Sequence, residues 1–98
     1  MRIIAKKTLQ NFYLKNPNSK QKLLSWFQVF SKNEFKNTNE IKCLFGTADF
    51  IGNNKIVFDI CGNNYRLIVK INYLTQIVYI RFIGTHKEYD NIKDIQNL

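Results

Sequence analysis

Midway along this chain the apolar residues change period, and that change restricts the fold more than any other feature of the sequence. Before residue 46 they recur at three- and four-residue spacing, as Leu9, Phe12 and Tyr13 and then as Leu23, Trp26, Phe27 and Phe30. Such spacing gathers them on one side of a helix and leaves lysine and glutamine on the other. Pro17 stops the first helix, begun at Lys6, after Asn16, and Asn18-Ser19 supplies a cap for the second. The result is a helical hairpin, preceded by a short apolar strand over Met1–Ala5. Asn37 and Glu40 have the spacing of a capping box, which predicts a further helix over Thr38–Phe45.

From Lys55 the period is two. Lys55–Ile60, Tyr65–Tyr73 and Gln76–Phe82 read as three antiparallel strands joined at Gly62-Asn63-Asn64 and Leu74-Thr75. One alternation, Ile56, Phe58, Ile60, Leu67, Val69 and Ile71, is purely apolar, whereas the other carries Asp59, Arg66, Lys70 and Asn72. The apolar side is therefore expected to pack on the helices, with Arg66 and Lys70 pointing away from them. Thr85 and Glu88 again have capping-box spacing. They predict a last short helix whose first turn holds His86, Lys87 and Tyr89, where backbone N–H groups favour an anion.

These elements define an α+β fold: an N-terminal strand and helical hairpin packed on an antiparallel sheet, with a short C-terminal helix. At 98 residues, one domain spanning 1–98 is expected. The formal net charge of +8 is unevenly placed. Residues 1–42 carry nine basic and two acidic side chains, residues 43–98 six and five. The helical half is thus the basic surface, suited to an anionic partner. No apolar run approaches the ~20 residues of a membrane span, and the start lacks the apolar stretch of a signal peptide, so a soluble cytoplasmic protein without membrane contact is expected. Cys43, Cys61 and the single histidine, His86, supply at most three ligands for a structural zinc site, so reduced thiols, no metal and no cofactor are expected.

Two stretches carry a resemblance to a known family. Val57-Phe-Asp-Ile-Cys-Gly-Asn-Asn-Tyr-Arg-Leu-Ile68 and Val78-Tyr-Ile-Arg-Phe-Ile-Gly-Thr-His-Lys-Glu-Tyr-Asp90 resemble the HigB branch of the RelE/ParE toxin superfamily. Lys6-Lys-Thr-Leu9 and Ser25-Trp-Phe27 fit it as well. The resemblance implies a RelE-like fold and the toxin of a type II toxin–antitoxin pair, an endoribonuclease that cuts mRNA on the translating ribosome. It also implies a helix-turn-helix, HigA-like antitoxin, held with the toxin in a hetero-oligomeric complex. Arg66 falls on the strand arginine that relatives use to hold the scissile phosphate, and His86, Lys87 and Tyr89 fall in the segment that supplies their acid/base and basic groups. Departures are also visible. RelE-type enzymes use lysines in the preceding strand, where this chain reads Val57-Phe58-Asp59 and only Lys55 is cationic; Asp59 replaces an expected Asn and Cys61 an expected basic residue.

Metal-free RNA cleavage needs a base for the ribose 2′-OH, a cation for the phosphorane oxygens and an acid for the leaving 5′-oxygen. The candidate catalytic residues are His86, with a reference pKa of about 6.5, Arg66 with its fixed charged fork, and Tyr89. Lys55, Lys70, Arg81 and Lys87 are the candidate phosphate-binding residues. Plainer readings stand beside these: Arg66 as the ion-pair partner of Asp59 across the hairpin, Tyr89 as part of the core, Lys70 and Arg81 as solvated strand residues. Two other functions share the same features, a ParE-like toxin acting on DNA gyrase and a non-catalytic RNA-binding domain.

Overall fold

The structure, a computed structural model, describes residues 1–98 with the exception of the Gln96 side chain. Strand β1 (Arg2–Ile4) leads into helix α1 (Lys6–Lys15), and a 3-10 turn at Pro17–Ser19 into α2 (Lys20–Lys32). Helix α3 (Thr38–Leu44) follows, then β2 (Asp49–Gly52), β3 (Lys55–Ile60), β4 (Tyr65–Asn72) and β5 (Ile77–Thr85), and last α4 (His86–Asp90) and a 3-10 turn at Ile95–Asn97. The expected α+β architecture is present, but the sheet is larger than three strands. Its order is β1-β5-β4-β3-β2, antiparallel except that β1 runs parallel to β5. The strand β2 was not anticipated; it forms a hairpin with β3 through Asn53 and Asn54, both at positive φ, the conformation that a tight two-residue turn demands.

Caps were legible in different degrees. Asn37 accepts from the amide of Glu40 as expected, while the Glu40 carboxylate accepts from Lys36 rather than closing the box on Asn37. Ser19 is buried and donates to Asn16 O (2.7 Å). It therefore precedes α2 without capping it through its side chain. At α4 the Thr85/Glu88 box is complete.

The apolar face of the sheet packs on the helices as its alternation requires: Ile56, Phe58, Ile60, Leu67, Val69 and Ile71 join Leu9, Leu23, Trp26, Phe30 and Ile41 in one buried cluster. Phe30 is its hub, with ring centroids 4.6 Å from Trp26, 5.0 Å from Phe35, 5.5 Å from Phe45 and 5.6 Å from Phe58. The opposite face departs from expectation, because Val57, Ile68 and even Lys55 are buried there. Lys55 Nζ donates to the carbonyl of Ile95 (3.2 Å), so the C-terminal segment lies across that face and leaves its polar residues at two separate ends. Among the described residues, no helix is long and apolar enough to cross a membrane.

Phe30→Ala removes the ring that joins α2 to α3 and β3. It is expected to cost about 3–5 kcal/mol, the range for emptying an aromatic core position, measured as a lowered urea midpoint with an unchanged slope.

Candidate active site

The register of the β3–β4 hairpin decides which charged groups meet. Cys61 and Gly62 both adopt positive φ in the connection, and the pairing that follows sets Ile60 opposite Tyr65, Asp59 opposite Arg66 and Lys55 opposite Lys70. Arg66 Nε consequently lies 2.9 Å from Asp59 Oδ1. The carboxylate stands off the N–H direction, so this is an ion pair that leaves the buried Nε without a hydrogen bond among the described residues. The guanidinium also lies over the ring of Tyr89, 5.1 Å from its centroid. Arg66 is therefore held from two sides, by a charge on β3 and an aromatic face on α4, and its side chain keeps 20% of its surface exposed. Of the readings of Arg66 from sequence, the ion pair with Asp59 is present, and the side chain still reaches solvent.

Helix α4 supplies the rest of this end. Its capping box fixes its start: Thr85 Oγ1 accepts from Glu88 N (3.1 Å) and Glu88 Oε1 accepts from Thr85 N (2.9 Å), while the amide of His86 donates to Asn64 O (3.1 Å). These bonds correct the expected anion site at the helix start, because the amides of Thr85, His86 and Glu88 already have acceptors. Gly84, opposite Arg66, gives this corner its room: a Cβ there would stand 2.6 Å from Phe82 Cζ. His86 Nδ1 lies 3.0 Å from Asp90 Oδ2, one helical turn on, and the imidazole is 6.4 Å from the Tyr89 ring, centroid to centroid. A carboxylate on Nδ1 favours the tautomer with the proton there and leaves Nε2 as the outward acceptor. Tyr89 is thus flanked by Arg66 and His86, and it is half-buried rather than part of the main core. Lys87 is exposed in the same turn.

The remaining cations do not join this cluster. Lys70 and Arg81 line a groove with Asn72 and Tyr79 toward the other end of the outer face, with the Arg81 guanidinium 5.3 Å from the Tyr79 ring centroid. Four residues of β4 separate Arg66 from Lys70, about 13 Å at strand rise. Lys55 departs from a phosphate-binding role as the chain stands, since it is buried and its ammonium is committed to Ile95 O. Burial lowers its pKa below the ordinary lysine value, with Lys70 and Arg81 adding to the effect and Asp94 opposing it.

Sequence reasoning overlooked Asp90 as a site residue, although its spacing of four from His86 on a helix was the available signal. Asp59 stands in the sequence reading as the partner of Arg66 and as a replacement for an expected Asn. Among the described residues, no group of three His, Cys, Asp or Glu side chains is arranged to hold a metal ion, and Cys43 and Cys61 are free thiols.

Comparison with known proteins finds relatives over most of the chain. The family model for HigB toxins, described as the RelE-like toxic component of a toxin–antitoxin system, matches residues 19–92. The mRNA interferase HigB of Escherichia coli O6:H1 is 33% identical over 94 residues, covering 94% of this chain and 91% of that protein. The mRNA interferase toxin HigB of Escherichia coli K12 is 32% identical over 92 residues, covering 92% and 88%, and the mRNA interferase HigB of Shigella flexneri matches to the same extent.

The burial of Lys55 has a pH signature. A lysine whose folded pKa is depressed binds fewer protons folded than unfolded above that pKa, so its penalty fades as pH rises toward 10.5. Tyr73, raised by burial, works the other way but is common to wild type and a Lys55→Met variant. Wild type is expected to gain stability relative to Lys55→Met as pH is raised from neutral toward 10.5, read from paired denaturation curves.

Proposed function

Because this chain belongs to the HigB family of RelE-like toxins of toxin–antitoxin systems, we propose that it is an endoribonuclease that cuts translated mRNA on the ribosome and is restrained by a helix-turn-helix antitoxin. The observation that carries this reading is the convergence of Arg66, Tyr89 and the His86–Asp90 pair at one end of the outer sheet face.

In the proposed reaction the ribose 2′-oxygen attacks the adjacent phosphorus, the bond to the 5′-oxygen breaks, and a 2′,3′-cyclic phosphate remains. Arg66 stabilises the charge that builds on the non-bridging oxygens, and its pairing with Asp59 and stacking on Tyr89 hold it before substrate arrives. His86 exchanges the proton through Nε2. Asp90 keeps the ring oriented, the role of the third group in a nucleophile–base–orienter series. Tyr89 lies where it can donate to the leaving oxygen or support a base by stacking. No metal takes part in this scheme. Lys87 provides exposed charge beside the helix, and the Lys70–Arg81 groove receives the strand further along. The basic helical half binds ribosomal RNA through charge, a contribution that weakens as salt rises.

The test is to map mRNA 5′ ends after brief induction and to repeat the cut on purified translating ribosomes. Arg66→Ala is expected to lower cleavage 10²–10³-fold, on the order of removing one charge-stabilising donor, and His86→Ala by about 10²–10⁴. Both variants should sediment with ribosomes as wild type does. Wild-type cutting by either variant would remove that residue from the chemistry, and induction that halts DNA synthesis before protein synthesis would replace the nuclease reading with a gyrase-directed toxin.

Asp90→Asn should lower the single-turnover rate less than His86→Ala, because the imidazole loses the carboxylate that orients it but stays in place. A wild-type rate in Asp90→Asn would show that Asp90 does not act through His86.

A further inference from the structure

A second site lies on the opposite side of β3 from the Asp59–Arg66 pair's strand, at the sheet's exposed margin. Strand β2 pairs with β3 only from Lys55 to Val57, so Phe58–Ile60 has no strand partner on that side among the described residues. Beside it is a cavity of about 280 Å³ lined by the consecutive residues Phe58 to Gly62, by Lys22, Ser25, Trp26 and Val29 of α2, and by Phe45. Lining by consecutive strand residues places the cavity along the backbone edge rather than over one face. Trp26, only 2% exposed, carries an Nε1 with no hydrogen-bond partner among the described residues, although a buried indole N–H ordinarily finds one.

An open strand edge next to an apolar cavity is the arrangement that accepts an added strand: main-chain bonds form along the edge and an alternate side chain enters the cavity. The volume falls below the ~300–1,000 Å³ typical of small-molecule sites, which suits a side chain better than a metabolite. A nucleic-acid base is a poor fit, because Trp26 is buried and already in contact with the rings of Phe30 and Phe58. Charge narrows the partner further, since Lys22 stands at the rim in the half of the chain with nine basic and two acidic residues.

We propose that the Phe58–Ile60 edge and this cavity dock an extended segment of the antitoxin, which adds as a strand, seats one apolar side chain beside Trp26 and places acidic residues opposite Lys22. The assignment rests on the toxin reading of the chain. It also gives restraint a physical route, because the strand that receives the segment carries Asp59, the partner of Arg66.

The chain contains its own reporter. Cys61 lines the cavity, while Cys43 is exposed on α3 outside it. Both thiols are to be alkylated in the free chain and in the complex with the antitoxin encoded by the adjoining reading frame. At least tenfold slower modification of Cys61, with Cys43 unchanged, is expected. Ser25→Trp, which fills the cavity mouth from the exposed face of α2, should weaken that complex at least tenfold while the free variant cuts mRNA as wild type does. Unprotected Cys61 in a formed complex overturns the docking site, as does protection by an RNA oligonucleotide instead. If both thiols are protected, Ser25→Trp decides, and unchanged affinity overturns the proposal. Failure to form any complex overturns the toxin reading and the docking site together, whereas absence of mRNA cleavage alone removes the nuclease reading and leaves the footprint to stand.

Discussion

The register between β3 and β4 is the constraint on which the outer face depends. Side chains alternate along a strand, so a slip of one residue would send Asp59 and Arg66 toward the helices and Phe58 and Leu67 toward solvent. Burial of the apolar set forbids that slip, and the turn through Cys61 and Gly62 ends the hairpin where the pairing begins. The Asp59–Arg66 contact is therefore paid for by the core. Its own worth as a partly exposed ion pair is small, but its geometry comes fixed.

Fixing Arg66 in this way has a cost for anion binding that the surroundings reduce. Asp59 cancels much of the guanidinium's field and repels an approaching phosphate, yet it stands off the Nε–H direction. Tyr89 meanwhile holds the guanidinium from α4. An arginine positioned by a misaligned carboxylate and a ring is preorganised without having its hydrogen-bonding capacity used up. At the other end of the face the balance is reversed: Lys55 and Lys70 stand directly opposite each other, an unfavourable pairing of like charges. The C-terminal segment relieves it by giving Lys55 a carbonyl and bringing Asp94 close enough to oppose its pKa shift.

What could be read from the chain followed the range of the interaction involved. The helices, the Thr85/Glu88 box and the β3–β4 hairpin arise from contacts between residues close in sequence, and their patterns are visible without the fold. Strand β2 escaped because Asp49-Phe50-Ile51-Gly52 is short and bounded by two residues that strands disfavour. The parallel pairing of β1 with β5 joins residues more than seventy positions apart, and no local pattern encodes it. Lys55 was misjudged for the same reason: its neighbours across the sheet were foreseeable, but the Ile95 carbonyl forty residues away was not. Asp90 is the opposite case, a local signal at helical spacing from His86.

The departures from RelE-type lysines also acquire a physical sense. With Asp59 on the strand where those enzymes carry cations, a general-base lysine beside Arg66 would be held charged by the carboxylate, the wrong state for taking a proton. In the proposed reaction a histidine on an adjacent helix, paired through Nδ1 with its own carboxylate, acts without competing for Asp59. On the proposed reading the two acids divide the work, Asp59 placing the arginine and Asp90 orienting the imidazole. That reading also fits a nearly neutral second half of the chain, in which these acids hold Arg66 and His86 in place, with attraction of a polyanion left to the lysines of the helices.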